Sequence, residues 1–242
     1  MFCKPPPREV FLLVKNMEKF IYSGVQESQK YCGKLDIWAQ QVSEMINKFN
    51  QNHPNEMLPK KPEVIRTQLL AGESVLIVSP DKAMVLYHGS LYPLLGNEDV
   101  KKLGFQVLEF GSWIVPEDYR GRGLGTEGCR LLKQLAAQKW GRFVGLATNK
   151  RVIAAMAGIG GGGMTAVNFY DYPNLTRLTC VCSSMQNGMC FYRRGPRDEI
   201  DISAGNDKDL LHNGGMSCTL LVTDIDDAKE FDKKCEEKGY GK

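Results

Sequence analysis

Between an apolar run that ends in Val115-Pro116 and a helical pattern that begins at Leu124 stands Arg120-Gly121-Arg122-Gly123-Leu124-Gly125. No other stretch constrains the chain as tightly. Three glycines in six residues let successive backbone N–H groups turn toward one point, and a helix N-terminus directly behind them adds its partial positive charge. A strand, such a loop and a helix in that order make a cradle for a pyrophosphate.

The flanking residues select among cradles. A triphosphate loop ends in Gly-Lys-Ser/Thr, because the lysine reaches the terminal phosphates and the hydroxyl holds magnesium. Gly125-Thr126-Glu127 has no such lysine. Gly123-Leu124-Gly125-Thr126-Glu127-Gly128 matches the dinucleotide pattern G-x-G-x-x-G, which requires an acidic residue after the next strand to hold the ribose. That strand, Arg142 to Thr148, runs into Asn149-Lys150, and no Asp or Glu occurs between Glu127 and Asp171.

The same residues resemble the acetyl-coenzyme A loop of the GNAT N-acetyltransferase superfamily, R/Q-x-x-G-x-G/A after a strand. The likeness extends back through Glu109-Phe110-Gly111-Ser112-Trp113-Ile114-Val115-Pro116-Glu117-Asp118-Tyr119, the strand and proline turn ahead of the loop, and forward to Asn149. It covers roughly residues 64 to 183. The resemblance implies an α/β (α+β) fold, with a mixed, mostly antiparallel sheet splayed at the central strand and helices on both faces. It implies acetyl-CoA as co-substrate, its pyrophosphate held by the backbone of Arg120, Gly121, Arg122, Gly123, Leu124 and Gly125 and by the side chain of Thr126. The pantetheine would pair with the backbone of Trp113, Ile114 and Val115, and Asn149 would complete the coenzyme site.

The roles in acyl transfer follow from the same likeness. Glu109 interrupts an apolar strand where the family carries a carboxylate that takes the amine's proton, and burial raises such a group toward a useful pKa. The family's acid is a tyrosine two turns after the asparagine, but that count lands on Met156, which donates no proton. Tyr170 or Tyr172 is expected to substitute, or water protonates the thiolate. Asp171-Tyr172-Pro173 to Cys182 is similar to a segment of N-acetylglutamate-synthase-like acetyltransferases, which points to an amino-acid acceptor; a small molecule is expected ahead of a protein N-terminus or lysine, with no diagnostic motif for any of them. The expected function is acetyl transfer to a primary amine by direct attack in a ternary complex. The alternative is a non-catalytic CoA-binding sensor or interaction module.

Charge and cysteine content narrow the class further. A net charge of +3 on 242 residues calls for no nucleic acid, and no apolar run is long enough to span a bilayer. With no apolar leader pattern at Met1-Phe2-Cys3-Lys4, a cytoplasmic protein is expected, and the family resemblance implies a homodimer. Eight cysteines in a chain of this length are expected as reduced thiols. Cys180, Cys182, Cys190 and Cys218 lack the paired C-x-x-C spacing of a zinc knuckle, so no metal is expected. His53, His88 and His212 have no Ser or Cys partner at a recognisable spacing, which leaves a hydrolase triad unsupported.

The expected organisation is an N-terminal helical pair and linker (1–62) in the same domain as the acetyltransferase core that the resemblance implies (63–190), followed by an extension with one strand and one helix (191–242). Phe11, Val14, Met17, Phe20 and Ile21, then Leu35, Trp38, Val42, Met45, Ile46 and Phe49, predict two helices; in an acetyltransferase such a pair walls the acceptor groove. A polar linker closes at Pro62. Ser74 to Ser79 and Ala83 to Leu91 predict an antiparallel hairpin, Phe105 to Val115 the central strand, and Leu124 to Trp140 a helix burying Leu124, Leu131, Leu132, Leu135, Ala136 and Trp140. Beyond a helix at Lys150 to Ala157, five glycines between Gly158 and Gly163 predict a flexible connector. Strands are expected at Met164 to Tyr170, Leu178 to Ser183 and Met216 to Val222, with a closing helix at Asp224 to Lys238.

Overall fold

The computed structural model describes residues 20–22, 31–52, 57, 59–158, 160–167, 171–179, 185–186, 189–190, 195–196 and 216–240. They form two compact units, one of Met1–Leu91 with Gly111–Leu135, the other of Tyr92–Phe110 with Ala136–Lys242.

In the first unit, β1 (Phe20–Tyr22) pairs antiparallel with β2 (Ser74–Val78), and β2 with β3 (Val85–Pro93). Phe20-Ile21 was expected as the end of a helix. It is a strand instead, since an aromatic and β-branched triplet fits a pleated edge and finds its register at Phe20↔Val78 and Tyr22↔Leu76; the remainder of that first helical pattern lies outside the described residues. The second pattern is α1 (Cys32–Asn52), as expected. Sequence periodicity missed α2 (Pro62–Ala71), which begins on its proline, where the missing N–H costs nothing, and stops at Gly72 with φ 65°.

Leu35, Trp38, Val42 and Ile46 of α1 and Ile65 and Leu69 of α2 form a core with Leu76, Val78 and Val85 on one face of this sheet. Trp38 also donates Nε1–H to Lys82 O at 3.1 Å across the hairpin turn. The opposite face, bearing Tyr87 and Gly89, meets Gly128 and Leu132 of α4 (Leu124–Trp140).

The second unit has α3 (Asn97–Leu103), the first part of β4 (Gln106–Ile114), β5 (Phe143–Asn149), α5 (Lys150–Ala157) and β6 (Thr165–Val167). It continues with α6 (Pro173–Thr179), the short strands β7 (Met185–Gln186), β8 (Met189–Cys190) and β9 (Gly195–Pro196), then β10 (Met216–Val222) and α7 (Ile225–Glu237). β4 runs parallel to β5 from Gln106↔Phe143 to Glu109↔Leu146, while β10 lies antiparallel between β5 and β6. The class is therefore α/β with a mixed, mostly antiparallel set of ladders, as expected.

Val107, Val144, Leu146, Leu220 and Val222 bury one face against Leu175 and Leu178 of α6 and Phe231 of α7. Phe231 stacks on Phe105 at 4.1 Å between ring centroids. On the other face Phe110 lies over Gly145, where an added Cβ would stand 2.1 Å from the Phe110 ring.

Three further expectations need correction. Leu178 belongs to a helix and not to a strand: Pro173 starts α6, Leu175 and Leu178 sit three apart on its buried side, and Asp232 accepts from Leu175 N at 2.8 Å. The glycine run after α5 is not a loose connector, because Gly162 N bonds Ala155 O, Gly163 N bonds Gly158 O and Met164 N bonds Met156 O, at 2.9 to 3.1 Å. Gly162 approaches so closely that a Cβ would fall 2.5 Å from Met156 O. Trp140, finally, is partly exposed, with Lys139 Nζ 4.8 Å over its ring.

Candidate functional site

After β4 a turn of 3-10 helix (Glu117–Tyr119) reverses the chain, with Tyr119 N bonded to Pro116 O at 3.0 Å and Arg120 N to Glu117 O at 3.1 Å. Gly121 and Gly123 then take φ of 77° and 76°. A Cβ at either would meet nothing within 4 Å, so it is backbone conformation, and not crowding, that calls for glycine there. The first bond of α4 runs from Glu127 N to Gly123 O at 3.0 Å. The N–H groups of residues 121–126 are bonded to no acceptor among the described residues, and residues 120–123 and 126 are exposed. The result is an open row of donors at the positive end of a 17-residue helix.

Side-chain charge around this row is arranged to favour an anion. Arg122 is anchored to Asp118 O at 3.0 Å and lies 5.0 Å over the Tyr119 ring; Arg120 stands 4.0 Å from Glu117. Glu127, in the first turn of α4, would oppose a phosphate. Arg130 grips it with two bonds of 3.0 and 2.6 Å, and the pair is partly buried at 30% and 14% side-chain exposure for Arg130 and Glu127. That contact raises the Arg130 guanidinium above its ordinary pKa.

Gly125, the last glycine of the loop, and Gly128, one turn into α4, serve packing. A Cβ on Gly125 would lie 2.7 Å from the Trp113 ring, and one on Gly128 2.1 Å from the Tyr87 ring. Tyr87 and Trp113 meet edge to face at 6.4 Å, so the helix that carries the donors rests directly on two aromatic rings. Burial pushes the Tyr87 hydroxyl well above the usual phenol range.

Strand β4 is kinked just ahead of Trp113. Ser112, 8% exposed, has φ of 51°, a left-handed conformation that a non-glycine residue adopts at a cost of about 1–2 kcal/mol. Its carbonyl lies 2.9 Å from Nδ1 of the fully buried His88 on β3, whose Nε2 lies 3.1 Å from Ser90 Oγ. Ser90 Oγ is in turn 2.8 Å from Ser74 Oγ, its direct partner across the β2–β3 ladder. Burial, with Lys60 as a lesser influence, brings the His88 pKa down to about 4. The reading of His88 as a histidine without a serine partner is thus corrected. His-Gly-Ser in a strand puts residues two apart on one face, and that was the legible signal. No hydrolase follows, because this serine is buried and lends its proton to the ring.

The structure thus gathers Trp113, Ile114, Arg120, Gly121, Arg122, Gly123, Leu124, Gly125 and Thr126 in the first unit. Glu109 and Asn149 belong to the second, where Glu109 is partly buried in β4 opposite Leu146 and Asn149 ends β5. The Asn149 carboxamide accepts from Arg151 N at 2.9 Å and so caps α5. Tyr172 is buried in the apolar cluster around Leu175 and Phe231, and its carbonyl accepts from Thr176 N. Tyr170, Cys180 and Cys182 lie outside the described residues; Cys190 and Cys218 fall in β8 and β10. Among the described residues no group of His, Cys, Asp and Glu is placed to hold a metal ion, and no helix is long and apolar enough to cross a membrane.

No protein-family model and no curated protein sequence matches the chain. Among solved structures it is similar to a GNAT-family acetyltransferase from Listeria monocytogenes, at 8% identity and a TM-score of 0.44, covering 66% of this chain and 93% of that one. It is also similar to Rv2747 from Mycobacterium tuberculosis in complex with CoA, at 16% identity and a TM-score of 0.41, covering 76% and 95%. A third similar structure is an agmatine N-acetyltransferase in its apo form, at 12% identity and a TM-score of 0.37, covering 84% and 98%.

Proposed function

We propose that the chain is a GNAT-type N-acetyltransferase that moves the acetyl group of acetyl-CoA to a primary amine, with a small molecule or amino acid as acceptor. The observation that carries this reading is the row of unbonded N–H groups at residues 121–126, with residues 121–123 and 126 exposed, opened by left-handed Gly121 and Gly123 at the head of α4. It suits a pyrophosphate, and the residues around it offer no lysine and magnesium-binding hydroxyl for a triphosphate.

In this reading the loop backbone and the Thr126 hydroxyl hold the pyrophosphate, and the β4 backbone at Trp113, Ile114 and Val115 pairs with the amide groups of pantetheine. The acceptor nitrogen attacks the thioester carbonyl carbon, a C–N bond forms, and the oxygen carries the negative charge of the tetrahedral intermediate, stabilised by a backbone N–H, until the C=O bond re-forms. Glu109, directly or through water, takes the proton that the amine sheds. Collapse breaks the C–S bond, and the leaving thiolate takes a proton from Tyr170, Tyr172 or water. Asn149 is assigned to the coenzyme site by resemblance.

One observation favours a second reading, a non-catalytic CoA-binding module. Met156, where the family's tyrosine would stand, is fully buried and carries no exchangeable proton. Calorimetric titration with acetyl-CoA, with NAD as control, followed by thiol release across a panel of amines, separates the two. Binding with amine-dependent release supports the transferase; binding without release across amino acids, polyamines and peptides supports the module; no binding rejects both.

A further inference from the structure

The buried chain Ser74–Ser90–His88–Ser112 is not used by the chemistry above, yet it ends on the strand that the acetyl-CoA reading assigns to pantetheine. A carbonyl oxygen only accepts, so the 2.9 Å contact with Ser112 O places the His88 proton on Nδ1. Nε2 is then bare and accepts from Ser90 Oγ at 3.1 Å, and Ser90, having given its single proton, accepts from Ser74 Oγ at 2.8 Å. Gln68 Oε1, at 3.4 Å from Ser90 Oγ, is the longer alternative for that proton. Each polar atom along this path is buried, and each contact fixes the orientation of the next.

The path terminates where β4 is strained. The left-handed φ falls on Ser112 and not on the adjacent Gly111, which would take it without cost. A local preference of the chain would put the kink on the glycine. Its position on the serine requires tertiary restraint, and the His88 N–H on the Ser112 carbonyl supplies one.

We infer that His88 is a positioning residue for coenzyme binding: its imidazole, held in the Nδ1–H tautomer by Ser90 and Ser74, grips the Ser112 carbonyl and fixes the kink that aims the Trp113–Val115 backbone. This rests on the acetyl-CoA reading.

The test begins with acetyl-CoA titrated into the wild-type chain. His88→Leu, which keeps the bulk and loses both ring nitrogens, is expected to raise the dissociation constant about tenfold. His88→Asn, whose Nδ2–H reaches the place of Nδ1–H, is expected to bind within about threefold of wild type. Loss of packing alone would not be rescued in this way. Should His88→Leu fail to fold, Ser90→Ala keeps the ring in place while releasing its tautomer, and is expected to weaken binding by about threefold. Nitrogen-15 spectra of the wild-type imidazole provide a readout that needs no ligand, with Nδ1 protonated and Nε2 bare as the expected state. An Nε2-protonated ring, or His88→Leu binding as wild type does, overturns this inference alone. A wild-type chain that takes no acetyl-CoA overturns the coenzyme reading and this inference with it.

Discussion

The glycines in the loop and in the first turns of α4 look alike in sequence and differ in what they do. Gly121 is needed for its φ of 77° alone, so Gly121→Ala keeps the fold at a cost of about 1 kcal/mol and disturbs the donor row. Gly128→Ala drives a methyl group into the Tyr87 ring and should cost about 1–3 kcal/mol as overpacking, with the loop itself untouched. Urea midpoints and acetyl-CoA titration on the two variants distinguish the roles; equal effects on both measurements would contradict them. His88 provides a second residue-scale prediction. Its folded pKa of about 4 lies below the value near 6.5 of an unfolded histidine, so between those pH values the unfolded chain binds the extra proton. The stability of the wild type should therefore fall by about 3 kcal/mol as pH drops from about 6.5 to about 4, and this component should be absent in His88→Asn. Glu230, brought down to about 2 by Arg142 and Lys234, contributes stability that is present above the ordinary carboxylate range and lost as pH falls toward about 2. That loss is common to both chains, so the difference between their urea midpoints against pH isolates the histidine. A flat difference would show that His88 is already free to ionise.

At the scale of elements, what sequence periodicity could read was whatever depends on neighbours in the chain. Helix α4 agrees with its apolar spacing from Leu124 to Trp140, and the β2–β3 hairpin follows from its short polar turn. What it misread depends on partners far along the chain. Phe20–Tyr22 becomes a strand because β2 offers it an edge, and α6 forms because Asp232 of α7 covers its N-terminus. In the site, the loop glycines were legible from spacing, whereas the kink at Ser112 was not, because His88 holds it from 24 residues away. Asp232 makes the dependence measurable. Its carboxylate accepts from Leu175 N at 2.8 Å and Asn174 Nδ2 at 3.1 Å, bonds that open α6 as an N-cap would. Asp232→Ala should cost about 1 kcal/mol, and Asp232→Asn, which keeps an accepting oxygen, a smaller part of that. Hydrogen exchange at Leu175 should quicken in the alanine variant before any change at α4; an unchanged rate would mean that α6 stands without its cap.

The chain as a whole passes from one unit to the other within β3, β4 and α4, so neither unit is a contiguous piece. This connectivity decides how a ligand on the first unit should act on the stability of the entire molecule. α4 is one uninterrupted helix whose first turns belong to the first unit and whose last belong to the second. Helix formation is cooperative, and a break within it exposes unsatisfied N–H and C=O groups on both sides. Unfolding the first unit alone would require such a break near Leu135, another in β4 near Phe110 and a third in β3 near Leu91. The thermal transition is therefore expected to be single, and a coenzyme bound to the loop at residues 121–126 should move all of it. At a hundredfold excess over its dissociation constant, acetyl-CoA adds about 2.7 kcal/mol to the folded state. For a chain of this size that corresponds to a rise in melting temperature of roughly 5–10 °C, and NAD should produce none. Calorimetry with both ligands gives three distinct results. One transition displaced upward by acetyl-CoA alone agrees with the coenzyme loop and with the threading of the chain. Two transitions, of which acetyl-CoA moves the first, keep the loop and reject cooperative threading through α4 and β4. A single transition that acetyl-CoA leaves in place rejects the loop as a coenzyme site, whatever the likeness of its six residues to one.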